Sequence, residues 1–221
     1  MNKFLISYFL FLISYYSFSQ WNDAGLWTSA SVEKKITQTL SANFSEAFRF
    51  NENISELGSF FSEFGIEKKI SKNLRASINY RFSSKRGIDD IYSQRYRYFV
   101  DLNFRKKISK IVVNYRARIQ SQIKNNFSRE NISNPENHWR NKISLRYNLE
   151  KKYQPFISGE WWYPLNNPKQ KYFDNLRCAA GLQYEINKMS SVELYYMIQK
   201  ELHKNNPETD FILGIGYNFS F

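Results

Sequence analysis

The stretch Leu74-Arg-Ala-Ser-Ile-Asn-Tyr-Arg-Phe-Ser83 decides the fold, because apolar and polar residues alternate strictly along it. Successive side chains of a β-strand point to opposite faces, so this segment has one apolar face and one polar face. The pattern therefore predicts an extended strand that separates two different environments.

The same alternation recurs along most of the chain. It is clear from Tyr96 to Phe104, from Ile111 to Gln120, from Ile143 to Leu149 and from Leu176 to Ile186. We therefore expect an all-β protein built from strand segments of this kind. The expected segments are 24–34, 37–50, 57–68, 73–84, 93–106, 110–123, 138–149, 154–163, 172–186, 190–202 and 209–221.

Alternation alone leaves two arrangements open. In a soluble sandwich the apolar faces pack together, whereas in a membrane barrel they face lipid and the polar faces line a lumen. The apolar rows extend over about 9 to 13 residues, which suits a tilted membrane crossing, whereas sandwich strands have roughly 5 to 6. Row length therefore favours a closed, antiparallel, up-and-down transmembrane β-barrel of about 10–12 strands.

The first residues have the pattern of a secretory signal peptide. Lys3 provides a positive charge, and an apolar run from Phe4 to Phe18 is followed by the small residue Ser19. We expect cleavage after Ser19. The alternative, an uncleaved membrane anchor, fits less well because the run is short and polar residues follow it at once. The expected organisation is a signal peptide at 1–19 and one barrel domain at 20–221.

The last segment is strongly aromatic on one face. Tyr217, Phe219 and Phe221 occupy alternate positions at the end of the chain. They resemble the C-terminal signal by which the outer-membrane assembly machinery recognises barrel proteins; the alternative is an ordinary aromatic strand. Together with the leader, this pattern predicts location in the bacterial outer membrane, with periplasmic chaperones and the assembly machinery as partners.

The composition narrows the class of protein. Aromatic residues make up 18% of the chain and its mean hydropathy is -0.60, as expected of a barrel with aromatic girdles and alternating strands. No apolar run after the leader is long enough for a membrane helix. The net charge of +12 indicates anionic partners, and an exported protein meets outer-membrane lipid and lipopolysaccharide rather than nucleic acid. The single Cys178 cannot form an intrachain disulfide.

The connections between segments alternate in length. Short basic ones, such as Glu67 to Asn73 and Arg105 to Lys110, alternate with longer polar ones, such as Ser83 to Gln94 and Lys124 to Asn137. Outer-membrane barrels have short periplasmic turns and longer outer loops. Because such barrels use even strand numbers, we expect ten or twelve strands, with 24–34 not a full wall strand or one strand unrecognised.

Two local patterns lead to further expectations. Glu46 interrupts an otherwise apolar row, and a bulge near Ser45 would turn it inward. Trp161-Trp162-Tyr163 is expected to belong to the outer aromatic girdle, with a sugar-stacking platform as the alternative.

Several motifs of the chain resemble those of one family. They are Trp27 within Gly-Leu-Trp-Thr, Val-Glu-Lys-Lys-Ile at 32–36, Glu46-Ala-Phe-Arg-Phe-Asn51, Phe64-Gly-Ile-Glu-Lys-Lys69, Tyr80-Arg-Phe82, His138-Trp-Arg140 and the final Tyr-Asn-Phe-Ser-Phe. Over nearly the whole mature chain this set is similar to the domain-of-unknown-function family 2490. The resemblance implies an uncharacterised outer-membrane β-barrel, common in Bacteroidota-type bacteria, without an assigned activity or catalytic residues.

The polar rows are rich in ions, with basic residues in excess. The ions expected to face the lumen are Arg49, Glu63, Glu67, Arg75, Arg81, Arg95, Arg97, Asp101, Arg105, Arg116, Arg118, Lys142, Arg146, Glu160, Arg177, Glu185 and Glu193. The expected basic cluster consists of Arg95, Arg97, Arg116 and Arg118. Its possible acidic partners are Asp101, Glu160 and Glu193. A channel that selects anions and a plugged interior of paired ions both fit, and the plugged interior is favoured because buried charges need partners.

No motif in the sequence predicts catalysis. Of the two histidines, His138 has Ser128, Glu130 and Ser133 nearby in sequence but no nucleophile motif, and His203 stands alone. No metal-ligand spacing or phosphate-binding loop is present, so no cofactor is expected. The predicted function is an outer-membrane barrel of structural or pore type and not an enzyme. The alternative is a hydrolase at the barrel rim that acts on envelope lipid or peptide through a loop histidine.

Overall fold

The computed structural model describes residues 22–87, 89–125, 134–149, 152–166, 172–204 and 206–221. Its strands are β1 (Asn22–Lys35), β2 (Leu40–Asn51), β3 (Glu56–Lys69), β4 (Leu74–Arg86), β5 (Tyr92–Ile108), β6 (Ile111–Asn125), β7 (Glu136–Tyr147), β8 (Tyr153–Pro164), β9 (Asn175–Glu185), β10 (Ser190–Glu201) and β11 (Thr209–Ser220). The all-β expectation is confirmed. The predicted signal peptide at 1–19 lies outside the described residues. Within them, no helix has the length and apolar character needed to cross a membrane.

The eleven strands of the described residues close into one barrel. Strands that follow each other in sequence pair antiparallel, and β1 pairs with β11 in parallel, from Asn22 opposite Thr209 to Glu33 opposite Ser220. Strands that alternate in direction leave the first and the last pointing the same way when their number is odd, so the closing pair must be parallel. The closed barrel of 10–12 strands is confirmed, whereas the expectation of an entirely antiparallel sheet was wrong at the closing β1–β11 pair. The expectation of an even number was wrong, because the segment predicted at 24–34 is a full wall strand.

The connections define two ends of the barrel. At the end that we call the turn end, the connections are 36–39, 70–73, 109–110, 148–152 and 186–189. At the opposite end, the loop end, they are 52–55, 87–91, 126–135, 165–174 and 202–208. The two-residue connection 109–110 uses the left-handed backbone of Ser109, with φ of 54°, as tight hairpin turns do. Phe221 lies at the turn end, where its N–H donates to the Glu33 carbonyl over 3.0 Å.

The distribution of exposed side chains shows which face is inside. On the outward rows Ile78, Ile119 and Ile157 are 71%, 62% and 57% exposed, whereas Asp101 and Glu160 on the inward rows are 5% and 6% exposed. A soluble sandwich has the reverse arrangement, because apolar side chains leave water when it folds. The inverted pattern is that of a barrel with a polar lumen and an apolar outer belt.

Glu46 stays on the outward row. It lies opposite Ala30 on β1 and Ser62 on β3, and the register shift between β2 and β3 falls between Arg49 and Phe50. The bulge expected beside Glu46 was therefore wrong. Its half-buried side chain lies between two small neighbours on the outer belt.

A glycine makes room for an aromatic ring inside the barrel. A Cβ built on Gly214 would lie 2.0 Å from Cζ of Tyr195, the residue opposite it on β10. Any larger residue would need the space that the Tyr195 ring occupies. This pairing places a phenol on the lumen wall.

Candidate functional site: the arginine-rich lumen

The inward rows enclose a cavity of about 300 Å³. Its basic lining residues are Arg49, Arg81, Arg97, Arg116, Arg118, Arg140, Lys142 and Arg177. Its acidic lining residues are Glu63, Glu160 and Glu193. Eight basic and three acidic side chains leave an excess of five positive charges, and the Asp101 carboxylate bound to Arg118 reduces this excess to four. The cavity is therefore electropositive.

Glu160 is the centre of the largest ion network in the lumen. Its Oε1 lies 2.6 Å from Arg116 Nη2 and 2.8 Å from Arg140 Nη2, and its Oε2 lies 3.8 Å from Arg177 Nη1. Arg140 also donates to the side-chain oxygen of Gln120 over 3.0 Å. One carboxylate can accept several hydrogen bonds, so Glu160 links its own strand, β8, to β6, β7 and β9. The single negative charge of Glu160 neutralises only one of the three positive charges of these guanidiniums.

A second pair is shielded on the inward face of β5 and β6. Arg118 donates from Nε and Nη2 to the two oxygens of Asp101, both over 2.7 Å. Each side chain is 7% exposed. This bidentate geometry is the strongest form of an arginine–carboxylate ion pair. Glu63 on β3 and Arg81 on β4 form another ion pair between neighbouring strands.

Arginines and aromatic rings alternate around the lumen wall. The distances from guanidinium carbon to ring centre are Arg140–Trp162 4.0 Å, Arg177–Trp162 4.5 Å, Arg177–Trp27 5.2 Å, Arg49–Trp27 3.8 Å, Arg49–Phe61 4.9 Å, Arg81–Phe61 3.8 Å, Arg81–Phe99 6.0 Å and Arg118–Phe99 3.7 Å. We call this series the arginine–aromatic ladder. Each of its four rings contacts two arginine guanidiniums. A guanidinium over a ring keeps its in-plane N–H groups available for anions.

Two arginines of the cavity have no acidic partner among the described residues. Arg49 contacts only aromatic rings, and Arg97 donates from Nε to the side-chain oxygen of Gln122 over 3.0 Å. Arg49 is also repelled by the nearby charges of Arg81, Arg97 and Arg177. Like charges at this separation cost free energy unless an anion neutralises them. Among the described residues, no carboxylate forms an ion pair with Arg49.

The structure divides the predicted basic cluster. Arg97, Arg116 and Arg118 line the cavity, whereas Arg95 lies opposite Lys124 toward the loop end. Position 124 is eight residues from Arg116 along β6, which is about 27 Å at a rise of about 3.4 Å per residue. Arg95 is therefore outside the cavity lining and far from Arg116, although it lies only two positions from Arg97 on the inward row of β5.

The three predicted acidic partners do not all contact the predicted basic cluster. Asp101 and Glu160 contact two arginines of the predicted cluster, as described above. Glu193 instead lies 3.6 Å from Arg146, nearer the turn end. Only the first two therefore contribute to the ion pairs of the predicted cluster within the described residues.

Sequence reasoning missed Arg140 and the inward rings. Arg140 is two positions from Lys142 and so shares its inward row. Trp162 shares the inward row of Glu160, which leaves Trp161 and Tyr163 on the outward row, where both rings contact Phe173. The alternation around each ion would have located these residues. The predicted girdle is thus wrong for Trp162.

The two histidines lie at the loop end. His138 Nε2 is 3.0 Å from Asp174 Oδ2, and its ring makes a T-shaped contact with the Trp162 ring. His138 Nδ1 is buried and makes no hydrogen bond. His203 uses Nδ1 to contact the Phe173 carbonyl over 3.0 Å. The predicted neighbours at 128, 130 and 133 lie outside the described residues.

Other reactive groups are few in the part of the chain that the structure describes. There, no cluster of His, Cys, Asp or Glu is arranged to hold a metal ion. Cys178 is a free, exposed thiol on the outward row of β9. Neither feature adds chemistry to the lumen.

The closed barrel with its apolar belt and polar lumen defines a barrel protein of the outer-membrane type. The chain belongs to the family described as protein of unknown function DUF2490, whose model matches residues 24–210. The family resemblance inferred from the motifs is confirmed. The sequence matches no curated protein.

Solved structures with a similar fold are outer-membrane barrels. The NanC porin has 13% identity and a TM-score of 0.50, with 80% of this chain and 86% of that chain covered. The beta domain of the Bordetella autotransporter BrkA has 10% identity and a TM-score of 0.49, with 82% of each chain covered. LpxR from Salmonella typhimurium has 12% identity and a TM-score of 0.48, with 86% and 87% covered. At these identities the likeness concerns the fold alone.

Proposed function

We propose that this chain is a pore-type barrel of the Gram-negative outer membrane whose lumen accepts small anions. The observation that carries the proposal is the cavity lining of eight basic and three acidic side chains. Charged side chains that line a narrow pore favour ions of the opposite sign. Because Glu63 and Glu160 are already bonded to arginines, the excess positive charge is available to a mobile anion.

The outer surface supports the membrane location. Each of the eleven described strands has exposed large apolar side chains, and a band of this kind is unfavourable in water. Tyr217 and Phe221 lie on this surface at the turn end and are 42% and 51% exposed. We assign the turn end to the periplasm, because outer-membrane barrels have their short turns there.

Reversal potentials of the refolded barrel in planar bilayers test the anion preference. Under a potassium chloride gradient we expect a reversal potential of the sign set by chloride. Arg97→Glu should shift it toward potassium, whereas Arg75→Glu, outside the cavity lining, should shift it less. A cation-selective current would contradict the proposal. A folded barrel without conductance would also contradict it and would leave the paired ions with a structural role.

A rim hydrolase is the second candidate function, and the His138–Asp174 contact favours it. A carboxylate that binds one imidazole nitrogen fixes the orientation of the ring, as it does for the general base of many hydrolases. Mass spectrometry of lipopolysaccharide and phospholipid after incubation with folded protein tests this role. Hydrolysis that is lost in His138→Ala and kept in His203→Ala would support it. Intact substrates after incubation with the folded protein would contradict it.

A further inference from the structure

The cavity contains a local imbalance of charge beside Arg49. Arg81 has Glu63 as its partner, and Arg177 has Glu160 at 3.8 Å. Arg49 has no carboxylate partner among the described residues. Its guanidinium lies over a tryptophan ring on β1, and its N–H donors make no hydrogen bond among the described residues. These donors are therefore available to bind an anion that enters the cavity.

Arg97 provides a second set of donors in the same cavity. Its described hydrogen bonds both go to the amide oxygen of Gln122, which carries no charge to neutralise it. Arg97 and Arg49 both line this cavity, and their like charges repel each other. One carboxylate between two guanidiniums would remove this repulsion and gain charge-assisted hydrogen bonds.

The rest of the cavity wall is not uniformly polar. Trp27, Phe156, Trp162, Tyr195 and Met197 all line it. Phe156 and Met197 are 9% and 7% exposed and form the apolar part of the wall. A volume of about 300 Å³ corresponds to about ten water molecules at roughly 30 Å³ each. The space therefore suits a small organic molecule better than a bare inorganic ion.

We propose that this cavity is a binding site for a small organic carboxylate with an apolar or ring-shaped body. Arg49 and Arg97 hold the carboxylate, and the aromatic wall holds the body of the molecule. The inference rests on the proposed anion-accepting lumen and names the substrate class of that same site. It differs from general anion selectivity because it requires saturable binding that depends on particular donors.

Calorimetric titration of the folded barrel with three probes separates the contributions of charge and body. Benzoate carries both the carboxylate and the ring, acetate lacks the ring, and benzamide lacks the charge. We expect benzoate to bind saturably and about tenfold or more tightly than either of the others. Equal binding of benzamide would overturn the proposal, because the arginines would then contribute nothing. Equal binding of acetate would overturn the role of the aromatic wall.

Substitutions locate the site. Arg49→Gln and Arg97→Gln should each weaken benzoate binding about tenfold or more. Arg75→Gln removes the same charge near the turn end, outside the cavity lining, and should leave the affinity unchanged. Heat-modifiable migration of each variant shows whether it is folded. An equal loss in Arg75→Gln would overturn the proposal in favour of a diffuse field.

Arg49→Lys separates this inference from the proposed pore function. Lysine keeps the charge but lacks the planar fork of donors, so benzoate binding should weaken while anion selectivity in bilayers is retained. Anion-selective current without saturable benzoate binding would overturn the inference alone. Saturable binding by a barrel that conducts no anions would overturn the pore function alone.

Discussion

The Arg49 guanidinium lies 3.8 Å from the centre of the Trp27 ring, directly opposite it on the neighbouring strand. The same ring contacts Arg177 at 5.2 Å. A cation over an aromatic face gains about 0.5–2 kcal/mol, with the larger values where water is excluded. Rings can therefore stabilise arginines that no carboxylate neutralises. This relationship explains how the lumen wall keeps an excess of positive charge in a folded barrel.

Breaking the shielded Asp101–Arg118 pair should cost much more stability than breaking the more exposed Glu67–Arg75 pair. Asp101→Asn leaves a shielded guanidinium without its counter-charge and should lower the free energy of unfolding by about 3 kcal/mol. Glu67→Gln should cost less than about 1 kcal/mol, because the Arg75 side chain is 44% exposed. Urea titration in lipid vesicles measures both. Adding Arg118→Gln to Asp101→Asn should recover part of the loss; equal costs for the two single variants would contradict the assignment.

The strand pattern of this chain could be predicted because each strand faces two very different environments. In β4, the apolar row that begins at Leu74 faces outward and the row that begins at Arg75 faces inward, as the alternation indicates. The closure could not be derived in the same way. Whether β1 pairs with β11 depends on the curvature and stagger of the whole sheet. Neither property can be predicted from the sequence of a single strand. The rule that such barrels have an even number of strands therefore gave a wrong prediction of the strand number.

The site could be predicted only in outline. Alternation placed Arg97, Arg116 and Arg118 on the inward rows, but the partner of each depends on strand register, which the sequence does not display. The inward rings were missed because aromatic residues in a membrane barrel are expected on the lipid side. Trp27 and Trp162 occupy inward rows because arginines there supply partners for their faces.

Adjacent positions on β2 test which face meets lipid. Phe44 is on the outward row and 47% exposed, whereas Ser45 faces inward and lies opposite Glu63. Phe44→Arg should cost about 2–4 kcal/mol if it lies near the middle of the membrane. Ser45→Arg should cost clearly less, because its side chain would enter the polar lumen rather than lipid. Folding titrations in vesicles give both values, and a greater cost at Ser45 would reverse the assigned faces.

The aromatic end of β11 should be needed for assembly. The Phe219 and Phe221 rings lie 5.5 Å apart, and Phe221 joins β11 to β1 through its backbone at the turn end. Replacing both with Ala removes the aromatic pair but keeps those backbone groups. We expect a strong decrease of heat-modifiable protein in the outer membrane, with degradation in the periplasm. The control Leu213→Ala changes the same outward row near the loop end and should assemble normally. Normal yield of the double variant would contradict the assembly role.

Thiol labelling inside the lumen tests the central claim, a positively charged cavity behind an apolar belt, most directly. Ser158 lines the cavity, and its neighbour Ile157 is 57% exposed on the outward row. Ser158→Cys in a Cys178→Ser background would be reacted with anionic and cationic methanethiosulfonate reagents, with rates divided by those of a small free thiol. We predict that the anionic reagent reacts about tenfold or more faster at position 158, as a potential of several kT requires. Neither charged reagent should reach Ile157→Cys in lipid. A cationic preference at 158, or labelling at 157 but not at 158, would contradict the account.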